Sequence, residues 1–317
     1  MNRQTMFLMV CLLSPALILP ACASSIVQLP TPTPTASSTA TPSPTLAPPT
    51  PIVTPTPTPQ PSQTPTATTL PPADTWSSPS PNGQWTAQGM LTAPFPATDG
   101  SEQYQTRLEV VNTTGTVKWT LADQTLNYGL GYTTPRPFHW SADGRYLYFT
   151  NLAVSDGCSL FHNGSDLYRA DLSTGQVTEI VPPGVWWVSL SPDEQTAAYI
   201  PWNGEALLLT ILNLATGNYR EMTFEGKYTQ AGNIIWSPEG QALMLTLATN
   251  PCDSANWTQS IARVDVATLS STILIRDDKR LFVTTEWPEA GTVELTDKDG
   301  DTWTLEVTSG ELEKKEK

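Results

Sequence analysis

Phe138-His-Trp-Ser-Ala-Asp-Gly-Arg-Tyr-Leu-Tyr-Phe-Thr150 reads as a strand, a tight Asp143-Gly144 turn and a second strand. Asp-Gly between two apolar runs supplies the backbone conformation that a short hairpin turn needs. The stretch returns along the chain. Ile235-Trp-Ser-Pro-Glu-Gly-Gln-Ala-Leu-Met-Leu-Thr246 is a second copy, and Ser189-Leu-Ser-Pro-Asp-Glu-Gln-Thr-Ala-Ala-Tyr-Ile200 a third. Ser80-Pro-Asn-Gly-Gln-Trp85 and Trp287-Pro-Glu-Ala-Gly291 are degenerate copies. The spacing between successive copies is 61, 50, 46 and about 50 residues.

A second piece, a strand ending in a small-residue turn, alternates with the first. Its copies are Arg107 to Gly115, Asp166 to Gly175, Leu207 to Gly217, Ile261 to Thr268 and Thr302 to Gly310. Four strands in each unit of roughly 50 residues predicts an all-β propeller of five four-stranded blades. Second strands such as Tyr146-Leu-Tyr-Phe149 and Ala242-Leu-Met-Leu-Thr-Leu247 are apolar on both faces. A strand covered on both sides shows such a run, whereas a two-sheet sandwich would leave one face polar.

Trp-Ser-(Pro/Ala)-(Asp/Glu)-Gly before an apolar strand, followed by Asp-Leu-x-Thr-Gly, resembles the repeat of TolB-type, tryptophan–aspartate-like propellers. The resemblance spans residues 74–314 and implies six blades where five are counted. The ring is then five-bladed, open, or completed by the segment from Leu70 to Trp76. Trp140, Trp236 and Trp287 share one repeat position and are expected to pack between blades.

Upstream the chain is of another kind. Arg3 is the sole charged side chain before Asp74, and an apolar run extends from Met6 to Leu19. That run has the length of a signal-peptide core and is short for a membrane span. Leu19-Pro-Ala-Cys22 resembles the bacterial lipobox, which implies cleavage before Cys22 and acylation of its sulfur. Residues 1–21 are therefore expected to be a lipoprotein signal peptide. Residues 22–73 are expected to be a lipidated N-terminus and disordered linker, and 74–317 the propeller. Pro30 to Pro72 holds 15 of the 30 prolines, alternating mainly with Thr. Such a segment favours polyproline II at ~3.1 Å per residue, a reach on the order of 130 Å.

The formal net charge is −14 and all of the acidic residues lie from Asp74 onward. This disfavours nucleic acid, whose phosphates are met by Lys and Arg, and anionic lipid surfaces. A monomer is expected, held at the cell membrane on its outer or periplasmic side by lipid.

The residues that break the repeat are the informative ones. Loops between second and third strands are expected at Ala93–Gln105, Asn151–Ser165, Pro201–Gly204 and Ala248–Gln259, sharing a face with the loops between blades. They carry Phe161, His162, Trp202, Asn203 and Trp257, which form the expected binding surface for a protein or glycan. Cys158 and Cys252 fall at equivalent places in two of these loops and are expected to form a disulfide past the short Trp202 loop. No metal-ligand spacing is present, and neither a metal nor another cofactor is expected. Asp297-Lys-Asp-Gly-Asp301 lacks the Gly and Glu positions of a calcium loop and reads as a hairpin turn. No catalytic residue is identified: there is no G-x-S-x-G elbow, and His139 beside Trp140 reads as a core residue. Binding is thus favoured over catalysis. The alternatives are a carbohydrate-active hydrolase or lyase with its site in the channel, and a TolB-like component of an envelope complex.

Overall fold

The computed structural model describes residues 70–154, 157–202, 206–253 and 255–315; the expected signal peptide, Cys22 and most of the proline-rich segment lie outside them. The described residues all fall in one compact unit. Its described residues contain strands and turns and no helix. The first sheet is β1 (Pro72–Pro79), β2 (Trp85–Thr92), the short β3 (Phe95–Pro96), β4 (Glu102–Asn112) and β5 (Lys118–Asn127). The second is β6 (Thr133–Trp140), β7 (Tyr146–Ala153), β8 (Leu167–Asp171) and β9 (Gln176–Val181). The third is β10 (Val185–Leu190), β11 (Thr196–Pro201), β12 (Leu208–Asn213) and β13 (Tyr219–Thr223). The fourth is β14 (Gln230–Trp236), β15 (Ala242–Thr249), β16 (Thr258–Asp265) and β17 (Ser271–Asp278). The fifth is β18 (Val283–Glu289), β19 (Thr292–Thr296), β20 (Thr302–Glu306) and β21 (Leu312–Lys314).

Each sheet is an antiparallel meander in chain order, as a propeller blade is, with β3 extending the β2 side of β4. The segment from Leu70 to Trp76 does not complete the last blade. From Pro72 it is the first strand of the first blade, paired with β2. The stretch Ala93–Gln105 is less irregular than expected, because β3 and the first residues of β4 build strand structure into it.

Packing explains the apolar second strands. In β7, Leu147 and Phe149 face the first blade with Ala87, Leu108 and Val110. Tyr148 faces the third blade with Val185 and Val188. In β15, Leu243, Leu245 and Leu247 pack against Ile200 and Leu209, while Met244 packs against Val293 and Leu295 of the fifth blade. The end blades alternate instead. Tyr104, Thr106, Leu108 and Val110 of β4 are buried, and Gln103, Gln105, Arg107 and Glu109 point the other way. Val293 and Leu295 of β19 are buried, with Thr292, Glu294 and Thr296 on the opposite face. Both end blades therefore carry polar outer faces, as terminal units of a stacked array do. Trp140, Trp236 and Trp287 all sit in the interblade cores, as their shared repeat position predicts.

The turns repeat a fixed set of bonds. Ser80, Ser141, Ser191 and Ser237 each accept, through Oγ, the amide five residues on, at 3.0, 2.8, 2.9 and 3.0 Å. The third residue after each serine has positive φ: Gly83, Gly144, Glu194 and Gly240. Glu194 is the exception to glycine, at φ 57°, and its side chain has a second use. Glu194 Oε1 accepts the Ala142 amide at 3.2 Å and lies 3.0 Å from His139 Nε2, tying the third blade to the second. His139 is thus a blade clamp. In the fifth blade, Asp297 shapes a hairpin turn: its Oδ1 accepts the amides of Asp299 and Asp301, and its Oδ2 accepts the Trp303 indole.

The turns between third and fourth strands need positive φ as well. Gly175 and Gly217 occupy it at 75° and 71°. A Cβ on Gly217 would meet nothing within 4 Å, whereas one on Gly175 would lie 2.4 Å from the Trp119 ring. Gly217→Ala should therefore cost about 1–2 kcal/mol, the left-handed penalty alone. Gly175→Ala should cost a further ~1–3 kcal/mol for displacing a packed ring. Urea unfolding of the two variants measures the difference, and equal losses would mean that Trp119 does not pack on this turn.

Candidate functional site

The chain between β7 and β8 is long, and it does not stay over its own blade. Its residues are fixed at four points. Gln230 in β14 accepts the Leu160 amide at 2.9 Å through Oε1 and donates to the Cys158 carbonyl at 2.8 Å through Nε2. Asn163 donates to the Val188 carbonyl at 2.7 Å and accepts the Val188 amide at 2.9 Å, fastening the chain to β10. Cys158 and Cys252 form a disulfide, with Cα atoms 5.1 Å apart. Phe161 supplies the fourth point. It is 4% exposed and lies against Gly232, where an added Cβ would come within 2.3 Å of the Phe161 Cβ and 3.1 Å of the Trp187 ring. The segment thus ties the second blade to the fourth while bonding to β10 of the third.

Phe161 was expected on the binding surface, and that expectation is corrected. The missing side chain of Gly232 leaves a socket between β10 and β14, and burying the phenyl ring there is worth more than exposing it. Phe161 closes the space between two first strands from the loop face.

His162, the next residue, points elsewhere. With Leu130, Val154, Trp186 and Trp202 it lines a cleft of about 470 Å³, whose remaining lining includes Ser159, Ser165 and Gly184. Trp186 stands edge-on to His162 (centroids 6.2 Å apart) and to Trp202 (5.6 Å). Trp202 is 68% exposed and Leu130 92%. Backbone bonds lock the walls together. Trp202 N–H donates to Gly184 O at 2.7 Å, Gly184 N–H to Ser165 O at 2.9 Å, and Ser165 N–H to Asn151 O at 2.9 Å. Val154 N–H donates to Tyr132 O at 3.0 Å, joining the wall that carries Leu130. Leu130 rises from Tyr128-Gly-Leu-Gly-Tyr132, whose two tyrosine rings lie 5.1 Å apart. Tyr104 packs edge-on beneath them, its hydroxyl donating to Thr133 O at 2.7 Å. The loop that carries Leu130 is therefore packed at its two tyrosines.

The electrostatics of the cleft are neutral. Burial lowers the pKa of His162, and its Nδ1 is buried without a hydrogen-bond partner. No carboxylate lines the cleft among the described residues. The nearest buried acid, Asp166, lies behind Ser165 and has both oxygens occupied. Oδ1 accepts the Asn151 amide at 2.7 Å and Oδ2 the Asn151 side-chain amide at 2.7 Å. Burial raises its pKa, but its role is to brace the β7–β8 junction.

Of the expected surface residues, the structure brings His162 and Trp202 together. Trp257 is half-buried in the turn after Cys252, away from the cleft lining. Asn203 and Cys22 lie outside the described residues. Leu130, Tyr128, Val154 and Trp186 were not singled out from sequence. The glycine-flanked leucine between two tyrosines was the available signal for the first two.

No protein family and no curated protein matches the chain. Among solved structures it is similar to TolB from Acinetobacter baumannii, at 16% identity and TM-score 0.39, covering 77% of this chain and 63% of that protein. It is also similar to the β-propeller domain of the Trilobed protease from Pyrococcus furiosus, at 12% identity and TM-score 0.46, covering 76% and 71%. A third is oligogalacturonate lyase from Vibrio parahaemolyticus, at 12% identity and TM-score 0.43, covering 74% and 75%. The chain spans under two thirds of the length of the first of these. None reaches a TM-score of 0.5, and the fold is assigned from the sheets themselves.

Two outcomes follow for the loop. Replacing both Cys158 and Cys252 by Ser opens a link of sequence separation 94, which the chain-entropy model values at ~4–5 kcal/mol. Thermal unfolding should shift downward by a matching amount. An unchanged midpoint would mean that Gln230, Asn163 and Phe161 hold the segment unaided. For His162 the folded pKa lies below the unfolded one, so protonation favours the unfolded chain. Stability should decline as pH falls below the unfolded value of about 6.5. His162→Gln should flatten that part of a stability–pH profile.

Proposed function

We propose that the chain is a lipid-anchored, extracytoplasmic binding module rather than an enzyme, and that its ligand seats in the cleft between Trp186, Trp202, Leu130 and Val154. The observation that carries this reading is the exposure of large apolar side chains on braced backbone around a concave, uncharged site. Contiguous exposed apolar surface marks a place where something binds. The anchor rests on Leu19-Pro-Ala-Cys22 and the segment that follows. The disulfide supports an oxidising compartment, where such bonds persist.

Catalysis is the weaker reading for two physical reasons. Acid–base chemistry at this cleft would need a carboxylate or a second histidine within reach of His162, and the described lining offers neither. First strands line a propeller's channel, and neither β10 (Val185–Leu190) nor β14 (Gln230–Trp236) carries an acid.

The test compares the wild-type full chain with Trp202→Ala on an array of glycans and in capture from envelope extract. Trp202 is exposed, so the variant should keep its unfolding midpoint. A ligand bound by the wild type and lost by the variant is the expected result. Turnover of a glycan by the chain would overturn the reading.

A further inference from the structure

We infer that the cleft receives one apolar side chain from a basic peptide segment, a partner protein presenting an aliphatic or aromatic residue between lysines or arginines. This deepens the binding reading above and rests on it.

Shape and chemistry select a side chain over a sugar ring. Six large apolar residues stand exposed among the described residues, and Tyr128, Leu130, Val154 and Trp202 lie at this cleft or on the loop that walls it; Val177 and Tyr219 lie elsewhere. A sugar is held by aromatic faces and a dense set of hydrogen-bonding groups. Leu130 and Val154 offer neither, and much of the polar backbone here is already paired, as at Gly184, Ser165 and Trp202. An apolar centre with aromatic walls is the composition of a protein-interface hot spot. The volume, about 470 Å³, suits a group of small-molecule size on a larger partner.

Charge selects the flanks. The cleft lining is neutral, but the loop-face segments of the first four blades carry Asp99, Glu102, Glu225 and Asp253. The described cations there are Lys227, Lys279 and Arg280; Lys227 pairs with Asp277 at 3.2 Å and Arg280 with Asp278 at 2.6 Å, so carboxylates outnumber cations on this face. Glu102 sits beside the tyrosine base, since the Tyr128 amide donates to its carbonyl at 2.8 Å. Asp253 follows Cys252, whose disulfide partner Cys158 precedes Ser159 of the cleft lining. Acidic residues thus adjoin both the tyrosine base and the disulfide that borders a neutral apolar centre. Such an arrangement steers cationic partners and repels acidic ones.

The experiment is calorimetric titration of the full chain with four probes. Three are synthetic peptides: leucine flanked by lysines, leucine flanked by glutamates, and serine flanked by lysines. The fourth is a set of neutral oligosaccharides. The lysine–leucine peptide should bind, more weakly as salt rises. Exchanging either the flanks or the centre should weaken it by at least about tenfold, equivalent to about 1.4 kcal/mol. Trp202→Ala and Leu130→Ser should each weaken it comparably, while Tyr219→Ser, an exposed site on β13, should not. Equal binding of the glutamate-flanked peptide, or indifference to both cleft variants, overturns the inference. Trp202-dependent oligosaccharide binding without peptide binding overturns the partner chemistry and leaves the binding module standing. Absence of any Trp202-dependent ligand, here and in envelope extract, overturns both.

Discussion

Every side chain of β15 from Ala242 to Thr249 is buried. Successive side chains of a strand leave on opposite faces, so such a strand can exist only with a sheet on each side. That constraint orders the molecule. Leu243 and Leu245 require the third blade, Met244 requires the fifth, and β7 makes the same demand of the first and third. Blades with covered strands cannot be ends. The alternating strands β4 and β19, apolar on one face and polar on the other, occur where the stack stops.

The turns follow from the same economy of repetition. Once blades stack, the hairpin ends lie side by side, and small changes in a turn residue become bonds between blades. Asn82, where other copies have an acid, donates to the Asp143 carbonyl of the next turn at 2.6 Å. Glu194, where other copies have glycine, accepts strain in φ and returns a contact to His139 and Ala142. A left-handed conformation for such a residue costs on the order of 1–2 kcal/mol and persists where neighbours over-determine it.

The blades were legible because their signals are local. Turn residues, apolar runs and their spacing lie within a few positions of one another, and the disulfide followed from equivalent places in two repeats. The site was legible only in part. Trp202 and His162 were visible as aromatics in loops, but Phe161 in the same loop is buried. What decides it is Gly232, far along the chain, whose missing side chain makes the socket. Leu130 escaped notice for the opposite reason. Its importance is its exposure, and exposure of an apolar residue leaves no mark in a pattern read for burial.

The loop lengths form one device. The connection after β11 is short, and the longer connection after β7 gives the 157–163 segment a path to the fourth blade. Gln230, Gly232 and Cys252 are the landing points for that path. The same path turns His162 toward Trp186 and leaves Trp202 uncovered at the rim. Each large apolar side chain left in water forgoes roughly 1.5–3 kcal/mol of burial. A disulfide, an amide clamp and a glycine socket bury Phe161, while Leu130 and Trp202 stay exposed, so the free energy of burying those two side chains is not used within the chain.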